Sequence, residues 1–143
     1  MVTEDYISFE TAKLLKEKGF DVSTEHDMWY VVEKFSTGCH WNSCTYKVGD
    51  ITREYNEKCC IAMPTLQMAM KWLREEHNKI IVPSIRVIDP ITGIIDCYCI
   101  GIYYTPKNNG GALCFISPTP ENGYSSYEEA CEEGIKYCLE NLI

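Results

Sequence analysis

The side chains with the widest chemical reach in this chain are nine cysteines and three histidines. Cys39, His40, Cys44, Cys59 and Cys60 supply enough thiolate and imidazole donors to complete a tetrahedral zinc site. Their spacing argues against one. Structural zinc sites usually match one ligand pair, about two to four residues apart, with a second such pair. On a strand, adjacent Cys59 and Cys60 would project from opposite faces. No metal and no cofactor is therefore expected. A Cys–His nucleophilic pair needs a base within hydrogen-bond reach and a lowered thiol pKa. Any of the cysteines could be matched with His26, His40 or His77, so the combination singles out no residue, and no catalytic side chain is assigned. His77 closes a helical stretch, where the dipole favours an imidazolium. The chain has no Gly-rich phosphate loop, zinc-protease helix motif or serine nucleophile elbow, and Gly110-Gly111 reads as a turn.

Ligand binding has a narrower set of candidates. Trp41, Tyr103 and Tyr104, near the polar Lys107, Asn108 and Asn109, could line a small-molecule or protein contact, because aromatic bodies with polar tips suit half-wet surfaces. The alternative places Tyr103 over the core and Tyr104 at a sheet edge, and the sequence favours that alternative.

The elements that must carry these residues are legible from pattern. Ser8 caps a helix through Ala12, Leu14 and Leu15, and Gly19-Phe20 supplies its left-handed stop. Met28 to Phe35, rich in aromatic and β-branched residues, reads as a strand. Residues 36–42 break it, Cys44 to Val48 and Cys59 to Met63 are further strand candidates, and 49–58 form a surface loop. After Pro64, Thr65 caps a helix with Leu66, Ala69, Met70 and Leu73 on one stripe, widened by Met68 and Trp72, ending near Asn78. Ile80 to Val87 and Ile94 to Tyr104 form a hairpin about Asp89-Pro90-Ile91-Thr92-Gly93. Both faces of the returning strand are largely apolar, which makes it central in its sheet. A turn at 108–111 leads to a strand over Ala112 to Ile116. Ser126 and Glu129 have capping-box spacing and open a helix reaching Ile143. Its stripe is Tyr127, Cys131, Gly134, Ile135, Cys138 and Leu142. Gly134 costs about 1 kcal/mol relative to Ala in a helix, so a neighbour, most simply a strand or Trp72, should approach that turn closely. The fold class is α+β, a mostly antiparallel sheet with three helices packed mainly on one face, in a single domain over residues 1–143. The opposite sheet face is then solvated or paired with another subunit.

Composition limits the partners. A net charge of −8 repels a phosphate backbone, so nucleic acid is not an expected ligand. Interleaved Lys and Arg argue against mimicry of DNA. The N-terminal stretch has no apolar signal region, and no apolar run reaches the roughly 20 residues of a membrane span. A cytoplasmic protein is expected, with its cysteines as thiols and most of them packed in the core.

Three segments carry a resemblance: Ile7-Ser-Phe-Glu-Thr-Ala-Lys-Leu-Leu-Lys-Glu-Lys-Gly-Phe20, Pro64-Thr-Leu-Gln-Met-Ala-Met-Lys-Trp-Leu-Arg74 and Ser126-Tyr-Glu-Glu-Ala-Cys-Glu-Glu-Gly134. They resemble small uncharacterised proteins associated with phages, prophages and genomes of gut anaerobes. The resemblance covers the helices alone and brings no site residues with it. It implies an accessory protein of phage or mobile-element origin. The expected activity is non-enzymatic: binding a host protein or self-associating through the free sheet face. The alternatives are a small-ligand, nucleotide-type sequestering protein and, third, a Cys- or zinc-dependent enzyme.

Overall fold

The computed structural model describes residues 5–20, 28–35, 38–45, 60–108 and 110–143, with backbone alone at 28–35, 38–45 and 60. Contacts group the chain into two compact units, Met1–Thr65 and Leu66–Ile143.

In the first unit, α1 spans Phe9–Glu17, and the Ser8 hydroxyl accepts the Thr11 N–H at 3.3 Å. Gly19 takes φ +89° and the Phe20 N–H closes back on the Leu15 carbonyl at 3.0 Å, the expected stop. The strands β1 (Met28–Phe35), β2 (Gly38–Thr45) and β3 (Cys60–Ala62) form an antiparallel sheet in the order β2-β1-β3. The break expected over 36–42 is corrected here. β2 begins at Gly38 and runs through Asn42, because every β1 residue finds a partner from Met28↔Thr45 to Phe35↔Gly38. Gly and Asn are poor strand formers alone, but strand propensity yields readily to pairing context. The loop expected at 49–58 lies outside the described residues. The unit also ties its ends together: Tyr6 bridges Thr65, and the Ile7 N–H donates to the Pro64 carbonyl at 3.1 Å. Ile7, Ala12 and Leu15 are buried.

In the second unit, α2 (Leu66–His77) leads into β4 (Lys79–Asp89), β5 (Ile94–Tyr104) and β6 (Cys114–Ile116), an antiparallel sheet in the order β4-β5-β6. The fold class is α+β as expected, with the strands divided between two sheets of three. β5 is central. Past the short β6, its outer edge stays satisfied: the Ile100 N–H donates to the Thr119 hydroxyl and the Ser117 hydroxyl donates to the Ile100 carbonyl, both at 2.8 Å. Tyr98 and Tyr124 then exchange backbone hydrogen bonds at 2.9 Å. Toward the hairpin turn the register slips between Arg86 and Val87 and between Val87 and Asp89, leaving Asp96 and Ile88 without a partner across the ladder. The unbroken period-2 alternation expected for β5 therefore ends at Asp96, whose carboxylate instead pairs with the Arg86 guanidinium. Bulges of this kind re-aim the side chains beyond them.

The last helix, α3 (Tyr127–Tyr137), is capped by the Ser126 hydroxyl, which accepts the Glu129 N–H at 3.1 Å. The reciprocal half of the capping box is shifted by one residue: the Glu129 carboxylate accepts from the Ser125 N–H at 2.9 Å and from the Ser125 hydroxyl. From Cys138 to Leu142 the helix widens into a π turn. A wider turn rotates each residue by less than the α-helical step, and the buried stripe changes accordingly. Ala130, Cys131, Gly134, Ile135, Cys138 and Leu139 are buried. Tyr127, expected on that stripe, is 39% exposed, and Leu142 is only half-buried.

α2 packs on β4, and α3 on both β4 and β5. The close neighbour inferred for Gly134 is the sheet: a Cβ there would lie 3.1 Å from both Ile81 Cγ2 and Ile100 Cδ1. Ile100 and Ile102 are fully enclosed on this helix-covered face, while Ile80, Val82, Tyr103 and Phe115 remain exposed on the other.

Gly134→Ala sets two terms against each other. Helix propensity gains about 1 kcal/mol, and overpacking an enclosed site costs about 1–3 kcal/mol. Because Ile100, 1% exposed, and Ile81 both stand 3.1 Å from the added Cβ and both must shift, the variant should be less stable by about 1 kcal/mol in chemical denaturation. Adding Ile100→Val should recover more than Ile100→Val alone would suggest. A stabilised single variant would contradict the close packing.

Candidate functional site

A cleft of about 950 Å³ opens at the base of the β4–β5 hairpin, within the second unit. Three elements build it. α2 ends at His77, and Asn78 takes the left-handed conformation, φ +53°, that turns the chain directly into β4 at Lys79. β5 ends opposite, and its register sets Lys79 beside Tyr104. The π turn brings Asn141 and Leu142 to the third side.

Lys79 is the anomaly of this cleft. It is only 8% exposed, yet among the described residues no carboxylate pairs with it. Its ammonium lies 5.7 Å from the centroid of the half-buried Tyr104 ring, a cation–π contact that offsets part of the lost hydration. His77 stands next to it, its ring 4.4 Å from that of Trp72. Burial holds the His77 pKa below its ordinary value, the positive charge of Lys79 lowers it further, Glu76 opposes, and Lys107 adds to the lowering. The imidazolium expected at this helix end is thus disfavoured, because burial and two ammonium groups outweigh the dipole.

The candidate ligand residues separate. Tyr104 lines the cleft, and Lys107 stands at its rim. Tyr103 points to the other face, is 37% exposed and packs on Phe115 with ring centroids 4.9 Å apart. The reading that put Tyr103 over the core and Tyr104 at an edge is therefore reversed: Tyr103 is the exposed residue and Tyr104 the enclosed one. Trp41 pairs with Val32 in the β1–β2 ladder, and its side chain lies outside the described residues. Asn108 is exposed in the turn, and Asn109 lies outside the described residues.

Cys39, His40 and Cys44 lie on β2 and Cys60 on β3, their side chains outside the described residues together with the whole of His26 and Cys59. Among the described residues no three His, Cys, Asp or Glu side chains converge as metal ligands. Cys97, Cys131 and Cys138 are buried and Cys99 and Cys114 half-buried, all as thiols. Burial pushes the Cys138 thiol up to about 12, against a smaller lowering by Lys79, and burial raises Cys131 as well. Neither is a nucleophile at neutral pH.

Lys79 escaped the sequence reading. The signal that would have found it was the hairpin itself: counting outward from the Asp89↔Ile94 pair arrives at Lys79↔Tyr104. Among the described residues, no helix is long and apolar enough to cross a membrane. Comparison with protein-family models, curated proteins and solved structures finds no match.

Two outcomes follow from these environments. Brief iodoacetamide treatment of native protein, mapped by peptide mass spectrometry, should modify Cys99 and Cys114 and spare Cys131 and Cys138; rapid labelling of Cys138 would contradict its burial. By NMR, His77 should titrate below the ordinary midpoint of about 6.5. Since the unfolded chain then takes up the proton first, stability should fall as pH drops through about 6.5 and level off below the folded-state midpoint. A midpoint above 6.5 would reverse that sign.

Proposed function

We propose that this chain is a non-enzymatic binding protein that pairs with a second copy of itself through the outer end of the β4–β5 hairpin. One observation carries the reading: Ile85 is 49% exposed, Ile88 65%, Ile91 95%, Ile94 55% and Ile95 46%. Single exposed aliphatic residues are ordinary on a protein surface, but a contiguous group marks an interaction surface.

The apolar character of the tip favours a second copy as the occupant. The tip exposes Ile85, Val87, Ile88, Ile91, Ile94 and Ile95 together, and a stable interface buries about 800 Å² on each partner. The charged pair within the tip, Arg86 and Asp96, is already neutralised internally. Asp89 leaves one uncompensated carboxylate at the turn, so the tip is mainly apolar, and a mainly apolar patch can meet its own copy in a two-fold, isologous contact. The net charge of −8 opposes pairing only weakly, since exposed charges are screened beyond about 8 Å at physiological salt.

Pro83 argues that the contact is made face to face. It pairs with Ile100, whose own N–H and carbonyl are directed to Thr119 and Ser117, away from β4. By the antiparallel alternation, Pro83 then sits at an outward position of the free β4 edge, and it has no N–H to offer an added strand. The setting is the one the resemblance implies, a phage or mobile-element accessory protein in a reducing cytoplasm, where thiols persist.

Sedimentation velocity over a micromolar concentration series should show a monomer–dimer equilibrium that added salt does not dissociate. Ile91→Asp with Ile94→Asp should give a folded monomer whose thermal midpoint matches that of wild-type protein diluted below its pairing range, since neither residue contributes to the monomer core. A wild-type monomer at every concentration, or a dimer that survives both substitutions, would overturn the proposal. In the first case, a host protein becomes the remaining occupant for this surface.

A further inference from the structure

We propose that the cleft at the base of the hairpin binds the phosphate group of a small phosphorylated molecule, with the Lys79 ammonium as its anchor. The inference is independent of self-association, because it rests on other residues at the opposite end of the hairpin.

An ammonium removed from water is expensive unless it is paired, and unpaired lysines are almost never found fully buried. Lys79 is 8% exposed and lines an open cleft; its ammonium faces the Tyr104 ring, and among the described residues no carboxylate side chain forms an ion pair with it. A ligand anion would supply what the fold leaves out. The surroundings agree with that sign. Lys107 stands at the rim, and His77 offers a second donor that a bound anion would turn toward its protonated form. Asn78 and Asn141 also line it, the Asn141 side-chain amide donating to the Tyr137 carbonyl at 3.1 Å. Glu76 is the one acidic side chain among the lining residues, and it is exposed.

Charge narrows the anion. The two-pronged guanidinium of arginine fits carboxylate and phosphate alike, and this cleft is lined by none. Lysine and histidine act as point donors and suit the tetrahedral, more highly charged phosphate. The volume of about 950 Å³ lies within the range of small-molecule sites. Nucleic acid is excluded on charge, since a chain at −8 lacks the clustered basic side chains that grip a backbone. An open aromatic-lined wall at Tyr104 leaves room for the organic part of the ligand.

The test is an NMR titration of the full chain with inorganic phosphate and with phenyl phosphate, against benzoate and chloride at matched ionic strength. Both phosphates should give saturable shifts at Lys79, His77 and Tyr104, phenyl phosphate the tighter, and benzoate should be weaker. Bound phosphate should raise the His77 midpoint. Lys79→Met should weaken phosphate binding by at least about tenfold, as expected for loss of a charge-assisted contact. Lys107→Gln should weaken it less, and Lys71→Gln, on α2 outside the cleft, should leave it unchanged. Should Lys79→Met fold poorly, the His77 midpoint in wild-type protein and the Lys107→Gln response decide the matter. No saturable response to either phosphate, benzoate binding as tightly, or full binding by folded Lys79→Met would each overturn the proposal.

Discussion

The approach of α3 to the β4–β5 hairpin at Gly134 sets the rest of the second unit. With hydrogen in place of a side chain, the helix comes close enough for Ile81 and Ile100 to fill the space a Cβ would need. That contact encloses Ile100, Ile102, Ile135 and Leu139 and forces Cys131 and Cys138 inward. Two consequences follow for chemistry. The buried thiols lose the ionised form that would make them reactive. The stretch of hairpin beyond the helix is left uncovered and exposes its isoleucines.

The hairpin thereby acquires two different ends. Its base holds a buried ammonium in a polar cleft, and its tip holds a mainly apolar surface. Eleven-residue strands separate the ends by about 34 Å at the usual rise of an antiparallel strand. At that distance, bound phosphate and a paired tip share no side chains, and a substitution at one end should leave the other intact. Coupling would require the hairpin to adopt a second arrangement, and its ladder has a single register apart from the bulges near Arg86 and Val87.

Local signals in the sequence were strong wherever one residue type does one physical task. The caps at Ser8 and Ser126, the stop at Gly19, the turn at 89–93 and the glycine at 134 all read correctly, because each reflects a hydrogen bond or a steric need that neighbours cannot override. The misreadings arose where the outcome depends on partners distant in sequence. β2 was obscured because Gly38 and Asn42 look like breakers until β1 pairs with them. The helical end of the chain was read correctly, but not the buried residues of its last turn, because a π turn follows from tertiary packing and carries no periodic signature. For the same reason, Tyr103 and Tyr104 changed places. Their faces depend on which side of the sheet receives the helices, and period-2 alternation alone does not say which. The cleft was half legible: Tyr104 and Lys107 were singled out by type, while Lys79 needed the register of the whole hairpin to be seen as buried.

The central claim is that α3 covers the base of this hairpin and a second copy covers its tip. Amide hydrogen exchange at two protein concentrations about a hundredfold apart tests it most directly, because exchange reports opening of each segment separately. Residues 97–102 should be strongly protected and insensitive to concentration, and residues 85–95 should exchange quickly in dilute protein and slow as concentration rises. Equal exchange of 85–95 at both concentrations, fast or slow, would contradict the claim.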